Sequence, residues 1–235
     1  MPLLHEDRLF PANPATRAIA RSLYEAIRDL PIISPHGHTD PAWFALNEPF
    51  ENATRLFITP DHYVFRMLYS QGIAMESLGV PTVDGTPVET DARKIWRVFA
   101  NHYHLFRATP SRTWLDHVFQ DVFGFEERLC GANADDYFDR IGDALAQPEF
   151  RPRALFERFN IELLATTESP LDELHHHRAI RDSGWPGRVV TAFRPDPVVD
   201  PEFEGFAANL DTLGELSGCD TGSWAGYLEA LRERR

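Results

Sequence analysis

From residue 160 onward, the sequence alternates between apolar segments of strand type and amphipathic segments of helix type, and this alternation constrains the fold more than any other feature. Residues 161–167 and 188–193 form the apolar segments. Residues 169–184, which lie between them, begin with Ser-Pro and end with Gly, as a helix commonly does. Parallel strands are usually joined by a crossover helix. The alternation therefore predicts an α/β fold with parallel strands.

A third strand is predicted at residues 31–34 (PIIS), directly after a helix that begins at Asn13 and Pro14. Asparagine is a common N-cap and proline a common first residue of a helix. From residue 90 to 159, the sequence predicts helices alone. This helical block therefore follows the first strand as an insertion.

The chain divides into three predicted segments, and residues 40–57 are expected to form a loop. The segments are the start of the barrel with strand one and the His-x-His motif at 1–59, the helical insertion at 60–157, and strands two and three at 158–235. A closed barrel needs eight strand-helix units and about 250 residues before insertions. Since three strands are predicted, we expect the N-terminal part of a longer barrel protein. An open α/β sheet that is complete in itself is the alternative.

His36 and His38 follow the first predicted strand as a His-x-His motif. Side chains along a strand alternate between its faces, so residues two apart point the same way. Two imidazoles on one face can bind a single metal ion. The motif therefore predicts a metal site if the residues before it form a strand.

Two other histidine clusters are not expected to bind a metal. His102 and His104 lie in a segment of helical periodicity, where residues two apart diverge by about 200°. His102 is therefore expected to line the core. Residues 175–177, three consecutive histidines, would be about 100° apart on a helix, and we expect them on a solvated helix face.

The composition excludes several classes of function. The chain has 235 residues, 43% of them hydrophobic, and a formal net charge of -13. No nucleic-acid partner is expected, because phosphate backbones require clustered lysine and arginine. Cys130 and Cys219 are too few for a disulfide framework. Since neither a signal-peptide pattern nor a continuously apolar window of about 18 residues is present, we expect a cytoplasmic protein without a membrane segment.

Polar residues also follow the other two predicted strands, at the edge where parallel α/β folds place their active groups. Thr166, Thr167 and Glu168 end the second strand, and Arg194 follows the third. The planar guanidinium of Arg194 is suited to clamping a substrate carboxylate. A surface arginine in a turn fixed by proline is the alternative.

His62 and Tyr63 lie in the first turn of a helix predicted to begin at Thr59 and Pro60. Unpaired backbone N–H groups and the helix dipole stabilise negative charge at such a position. The sequence therefore favours an anionic ligand or a tyrosinate there, with ordinary amphipathic packing as the alternative.

Five segments, taken in order along the chain, resemble uronate isomerase, a family of the amidohydrolase superfamily. Each segment alone is weak evidence for the family, but the ordered set is specific to it and spans almost the whole chain. The segments are PIISPHGH at residues 31–38, DHYVFR at 61–66, TWLDHVFQDVFG at 113–124, TTESPLDELH at 166–175 and TAFRPD at 191–196.

The resemblance implies a (β/α)8 TIM-like barrel with a helical insertion after the first strand, of which this chain would supply the first three strands. It also implies an aldose-ketose isomerase of hexuronate catabolism, which converts D-glucuronate to D-fructuronate and D-galacturonate to D-tagaturonate. By position, His36 and His38 resemble the family's ligands for a divalent metal, with zinc expected. His62, Tyr63 and Arg194 match its substrate-site residues. A homo-oligomer is also expected, because barrel enzymes commonly form symmetric assemblies.

The implied reaction passes through an enediol: a base removes the proton at C2, and the proton returns at C1. Tyr63 or a group beyond residue 235 is expected to move this proton, with His62 positioning or sharing it. Arg194 would bind the sugar acid. The metal would orient substrate oxygens and stabilise developing negative charge.

The chain departs from the family pattern at Ser34, where the family usually has aspartate, and at Gly37, where it often has cysteine. Such replacements bear on how the neighbouring histidines are oriented. The family's metal-linked aspartate, with a nearby arginine, comes from the last barrel strand, beyond this sequence. Two alternatives stay open: a metal-dependent hydrolase of the same superfamily, and a noncatalytic helical module in which His36 and His38 are structural.

Overall fold

The computed structural model describes residues 3–235, which divide into two compact units. The α/β unit consists of Leu30–Glu48 and Pro152–Arg235, and the helical unit consists of residues 3–29 and 49–151. Each unit buries apolar side chains of its own. No helix in this described part of the chain has the length and apolar character needed to cross a membrane.

The α/β unit contains a parallel sheet in the order β1-β2-β3. Its strands are β1 Ile32–Ser34, β2 Ile161–Glu168 and β3 Arg188–Phe193. Ile33 pairs with Leu163, and Thr167 pairs with Ala192. The prediction of an α/β fold with parallel strands at these three places is therefore confirmed.

Six α-helices of the described chain belong to the α/β unit. They are α2 Pro41–Leu46, α8 Pro152–Arg158, α9 His175–Asp182, α10 Asp196–Val199, α11 Phe206–Ser217 and α12 Trp224–Glu233. Phe44 of α2, Phe156 of α8 and Ile180 of α9 are buried in one cluster with Leu164 of β2. A second buried cluster joins α10, α11 and α12. Burial of each large apolar side chain contributes about 1.5–3 kcal/mol, so the first cluster fixes α2, α8 and α9 against β2.

The helical unit contains the other six α-helices. They are α1 Pro14–Glu25, α3 Ala53–Phe57, α4 His62–Tyr69, α5 Ala92–His102, α6 Pro110–His117 and α7 Ala134–Leu145. Its core is largely aromatic, and the buried rings include Trp96, Phe99, Tyr103, Phe106 and Phe119. The indole N–H of Trp96 donates to the Ala134 carbonyl at 2.8 Å. This bond ties α5 to α7 inside the core.

A buried carboxylate, Asp116 of α6, joins the aromatic core to two arginines. Its oxygens accept hydrogen bonds from the Tyr103 hydroxyl at 2.8 Å, from Arg112 Nε at 3.0 Å and from Arg128 Nε at 3.3 Å. Burial, together with the negative charge of Asp116, raises the pKa of the Tyr103 phenol far above its ordinary value. Asp116 is therefore paired, as a buried charge requires.

Residues 40–57 do not form the predicted loop, because they contain α2 and α3. The Asp40 carboxylate caps α2 by accepting from the Ala42 amide at 2.8 Å, and the Asn52 side chain caps α3 by accepting from the Arg55 amide at 3.0 Å. Both helices are too short to show an apolar period in the sequence. Their local signals are the capping residues and, for α2, Pro41 at its first position.

The helix predicted to begin at residue 169 begins at His175. The Asp172 carboxylate accepts from the Leu174 amide at 2.6 Å, and Leu174 has a φ of 56°, in the left-handed region. A residue in that region cannot continue a right-handed helix. Because of the turn at Asp172, the helix begins at His175 and not at the Ser-Pro pair of residues 169 and 170.

Candidate functional site

The loop after β1 carries His36 and His38. The strand ends at Ser34, so both histidines lie beyond it, and alternation along a strand does not set their directions. Their Nε2 atoms nevertheless lie 3.2 Å apart, with the ring centroids 4.9 Å apart and the ring planes at 82°. Both side chains are exposed. The bend of the loop, rather than the pleat of a strand, brings the two imidazoles together.

This separation, which is also a hydrogen-bond distance between the two rings, is close to the one that two nitrogens have when they share a metal ion. In a tetrahedral site with Zn–N bonds of about 2.0–2.1 Å, two ligand nitrogens lie about 3.3–3.4 Å apart. Within residues 3–235, no group of three or more His, Cys, Asp or Glu side chains is arranged to hold a metal ion. The pair could therefore supply two ligands, with the remaining positions left to other groups.

The second His-x-His sequence has a different geometry. The ring centroids of His102 and His104 lie 6.3 Å apart. His102 Nδ1 lies 2.7 Å from the Val98 carbonyl, and His104 Nδ1 lies 3.2 Å from the Asn101 carbonyl. Because each ring bonds to backbone near it, the pair does not converge. His102 is partly buried, and His104 is exposed.

The expectation that residues 175–177 form a solvated face is wrong for His177. Its side chain is only 11% exposed, and its Nε2 lies 2.8 Å from the Thr166 hydroxyl oxygen. The same hydroxyl lies 2.7 Å from Glu168 Oε2. These distances let the hydroxyl donate to the carboxylate and accept from an Nε2–H of His177. Consecutive helical residues point in different directions, so one of the three histidines can turn inward while His175 stays exposed.

The ends of the three strands are connected through the end of β2. The Thr167 hydroxyl donates to the Gly37 carbonyl at 2.8 Å, between the two histidines of the loop after β1. On the other side, the Arg194 amide donates to the Glu168 carbonyl at 3.1 Å. Consecutive residues of β2 therefore hold the His36–His38 loop and the turn that carries Arg194.

The side chain of Arg194 is 55% exposed and pairs with Asp196, from Nε to Oδ2 at 3.1 Å. A monodentate ion pair of this exposure is weak. The guanidinium can therefore exchange Asp196 for the carboxylate of a ligand. The turn fixes the backbone of Arg194 through the Glu168 carbonyl, and its head group remains accessible to solvent.

His62 and Tyr63 belong to the helical unit, in the first turn of α4. Their rings lie against each other, with centroids 4.2 Å apart, and Tyr63 is 62% exposed. The Asp61 carboxylate caps this helix, accepting from the amides of Tyr63 at 2.8 Å and Val64 at 3.3 Å. Those two amides are therefore not free for an anion, in contrast to the sequence-based expectation. Asp61 instead fixes the helix start from which both side chains project.

The bond between Thr167 and Gly37 and the contacts of His177 were not evident from the sequence. Thr167 belongs to the polar group predicted at the end of β2, but its partner is a backbone carbonyl in a loop. No residue pattern specifies such a partner. The spacing of the three histidines gives the angle between them but does not show which one faces the sheet.

Comparison with known families agrees with the resemblance seen in the sequence. The profile of the family described as glucuronate isomerase matches residues 8–235. Uronate isomerase of Mesorhizobium japonicum is 64% identical over 233 residues, which cover 99% of this chain and 50% of that protein. Uronate isomerase of Rhizorhabdus wittichii is 67% identical over 232 residues, which cover 99% and 48%. The chain thus spans about half the length of these relatives.

Two crystal structures have a similar fold. Glucuronate isomerase from Caulobacter crescentus superposes with a TM-score of 0.93 at 61% identity, over 100% of this chain and 49% of that one. Uronate isomerase from Thermotoga maritima superposes with a TM-score of 0.81 at 25% identity, over 92% of this chain and 46% of that one. The similarity of fold therefore extends to relatives that have diverged considerably in sequence.

Proposed function

Because the chain belongs to the glucuronate isomerase family, we propose that it carries metal- and substrate-binding groups of an aldose-ketose isomerase that acts on uronates. The proposed reactions convert D-glucuronate to D-fructuronate and D-galacturonate to D-tagaturonate. The observation that carries the proposal is the family match over residues 8–235, which contain the converging pair His36 and His38. This match favours the isomerase over a hydrolase or a noncatalytic module.

The proposed reaction moves one hydrogen between two carbons. A base takes the proton from C2, and the C1 carbonyl oxygen gains a proton, which gives an enediol. Return of a proton to C1 and loss of the O2 proton then leave a carbonyl at C2. Tyr63, or a group from outside this chain, would transfer the proton, and His62 would position or share it. The ring contact between the two side chains supports a joint role.

The carboxylate of the substrate gives Arg194 its proposed task. The guanidinium would bind this carboxylate through paired N–H donors, in place of its exposed partner Asp196. Because the carboxylate lies at C6, this contact would fix the sugar from the end remote from the reacting carbons. Arg194 would then contribute to binding and orientation rather than to proton transfer.

His36 and His38 would hold a divalent ion, for which we propose zinc. Their Nε2 separation of 3.2 Å supports this role. When bound, the ion would supply positive charge that orients substrate oxygens and stabilises negative charge on them. We further propose that the intact protein forms a (β/α)8 barrel, of which β1, β2 and β3 are the first strands, and that it assembles as a homo-oligomer.

The proposal is tested by incubating the intact protein with D-glucuronate, with D-galacturonate and with D-glucose in D2O, while NMR spectra follow the products. We expect a 2-keto product from at least one uronate and deuterium from solvent at its C1. D-Glucose serves as the control because it lacks the carboxylate, and it should react far more slowly. Absence of ketose from both uronates, under conditions where the protein is folded and metal-loaded, would refute the proposed activity.

A further inference from the structure

We propose that Thr167 is a positioning residue for the metal site: by holding the Gly37 carbonyl, its hydroxyl sets the spacing of the His36 and His38 imidazoles. The inference rests on the proposed function, because it takes these two histidines as metal ligands. It assigns the role to a side chain that touches neither the metal nor the substrate.

The Thr167 hydroxyl joins the loop after β1 to β2. It donates to the Gly37 carbonyl at 2.8 Å. The Ser34 hydroxyl, at the end of β1, also donates to the loop, reaching the His36 carbonyl at a longer 3.3 Å. The Gly37 peptide is therefore bonded directly to a side chain of β2.

Gly37 also lies directly against the backbone of β2. A Cβ atom placed on Gly37 would lie 3.2 Å from the Ala165 carbonyl oxygen, closer than side chains ordinarily come. The absence of a side chain thus permits the close approach that the Thr167 bond requires. Contact with Ala165 and the bond to Thr167 restrain the same peptide, at the centre of the His-x-His motif.

The end of β2, which carries the donor of the Thr167–Gly37 bond, is held in place by burial and by hydrogen bonds. Thr166 and Thr167 are consecutive, so their side chains point to opposite faces of the strand. On the face opposite Thr167, the Thr166 hydroxyl is fully buried and contacts both Glu168 and His177, with oxygen-to-partner distances of 2.7 and 2.8 Å. This network fixes the strand end to α9. Because Thr167 belongs to this packed strand end, its hydrogen bond restrains the Gly37 carbonyl relative to β2.

The consequence for metal binding follows from the geometry of chelation. The two imidazoles reach their 3.2 Å separation in a loop and not in a strand, so no ladder of hydrogen bonds enforces it. If the Gly37 peptide were released, the rings would sample wider separations. The entropy cost of ordering the loop would then offset part of the binding free energy of the metal, and the affinity for the metal would fall.

The test measures zinc affinity of the intact protein by competition with a chromophoric chelator. Thr167→Val removes the hydroxyl but keeps the shape, and Thr167→Ser keeps the hydroxyl. Thr221→Val is the matched control, because the Thr221 hydroxyl donates to the Leu210 carbonyl at 2.9 Å elsewhere in the α/β unit. We expect Thr167→Val to raise the Kd for zinc by about 10–100-fold, and the other two variants to change it by less than about threefold.

Three results would overturn the inference: an unchanged Kd in Thr167→Val, equal losses in Thr167→Val and Thr167→Ser, or an equal loss in Thr221→Val. His36→Ala separates this inference from the proposed function. If His36→Ala keeps full zinc affinity, the metal site itself is wrong and the role of Thr167 fails with it. If His36→Ala loses zinc but Thr167→Val does not, only the role of Thr167 fails.

Should Thr167→Val not fold, a crystal structure of the zinc-loaded wild type decides the question. We expect the Thr167 hydroxyl oxygen within about 3.2 Å of the Gly37 carbonyl oxygen, with both imidazoles bound to the ion. A hydroxyl directed to any other acceptor in the zinc-bound state would overturn the inference.

Discussion

The Nε2 atoms of His36 and His38 lie 3.2 Å apart in a loop, beyond the end of β1 at Ser34. The ring centroids of this pair lie 4.9 Å apart, whereas those of His102 and His104, which have the same spacing in the sequence, lie 6.3 Å apart in the helical unit. The difference lies in the backbone, because a bend can turn two alternate side chains toward each other and a helical turn cannot. The metal-site proposal therefore rests on loop geometry as much as on residue type.

Replacement of Tyr63 by Phe tests its proposed role in proton transfer. If the Tyr63 hydroxyl moves the proton, kcat for the uronate should fall by about 10²–10⁴-fold, with a smaller effect on KM. Tyr69→Phe is the matched control, since Tyr69 lies on the same helix with 57% exposure against 62% for Tyr63. Near-normal rates in Tyr63→Phe would remove Tyr63 from the mechanism.

The cap of α4 should matter for the placement of His62 and Tyr63. Asp61→Ala removes the acceptor for the amides of Tyr63 and Val64 and should cost about 1 kcal/mol of stability. Asp61→Asn, which retains an acceptor, should cost less. Unfolding in denaturant measures both variants, and equal stability of Asp61→Ala and the wild type would contradict the capping role.

Asp116 should be one of the most sensitive positions of the helical unit. Asp116→Ala leaves Arg112, whose side chain is 15% exposed, without its carboxylate partner, and should destabilise the protein by about 3–5 kcal/mol. Asp136→Ala is the control, because Asp136 pairs with Arg140 at the surface with 62% exposure. Asp136→Ala should change the free energy of unfolding by no more than about 0.5 kcal/mol, as measured by calorimetry or denaturant unfolding. Similar effects of the two substitutions would show that the Asp116 network is not needed for stability.

The ion pairs between α5 and α7 predict a dependence of stability on pH. Hydrogen bonds from Arg97 to Asp135 and from Arg93 to Asp139 lower the pKa of each carboxyl below its ordinary value. A lowered folded-state pKa adds stability that is present above the unfolded-state pKa and is lost as pH falls through the folded-state pKa. We therefore expect this contribution to begin to fall near pH 4, the ordinary carboxyl pKa, and to be lost at lower pH.

The measurement compares denaturant unfolding of the wild type and of the Asp135→Asn/Asp139→Asn double variant from neutral to acidic pH. The double variant should show the shallower loss of stability, since it lacks both carboxyls. Asp143→Asn, at an exposed position of the same helix, should retain the profile of the wild type. Parallel profiles for the double variant and the wild type would contradict the prediction.

The sequence predicted the parts of the fold that have long periodic patterns or strong caps. The start of α1 is an example, because the Asn13 side chain accepts from the Thr16 amide at 3.0 Å, directly before Pro14. The short helices α2 and α3 were missed because about one turn is too little to show an apolar period. Their caps, Asp40 and Asn52, were visible but are equally common in turns.

For the candidate site, the sequence and the family resemblance identified candidate residues such as His36, His38 and Arg194. The structure added which atoms these residues contact. The sequence predicts that His36 and His38 converge because side chains alternate along a strand. The structure instead brings them together through the bend after β1, and such a bend has no periodic signature in the sequence. The inward turn of His177 depends on how α9 packs on the sheet. Long-range packing decides such details, and a local pattern does not contain them.

The proposed metal site is tested most directly by the metal content of the intact protein after dialysis against buffer without metal. Zinc bound per chain should fall at least about tenfold in His36→Ala relative to the wild type, since one of the two proposed histidine ligands is lost. His104→Ala, which removes an exposed histidine from the pair that does not converge, should keep the wild-type content. Unchanged metal content in His36→Ala would contradict the assignment of His36 and His38 as the metal site.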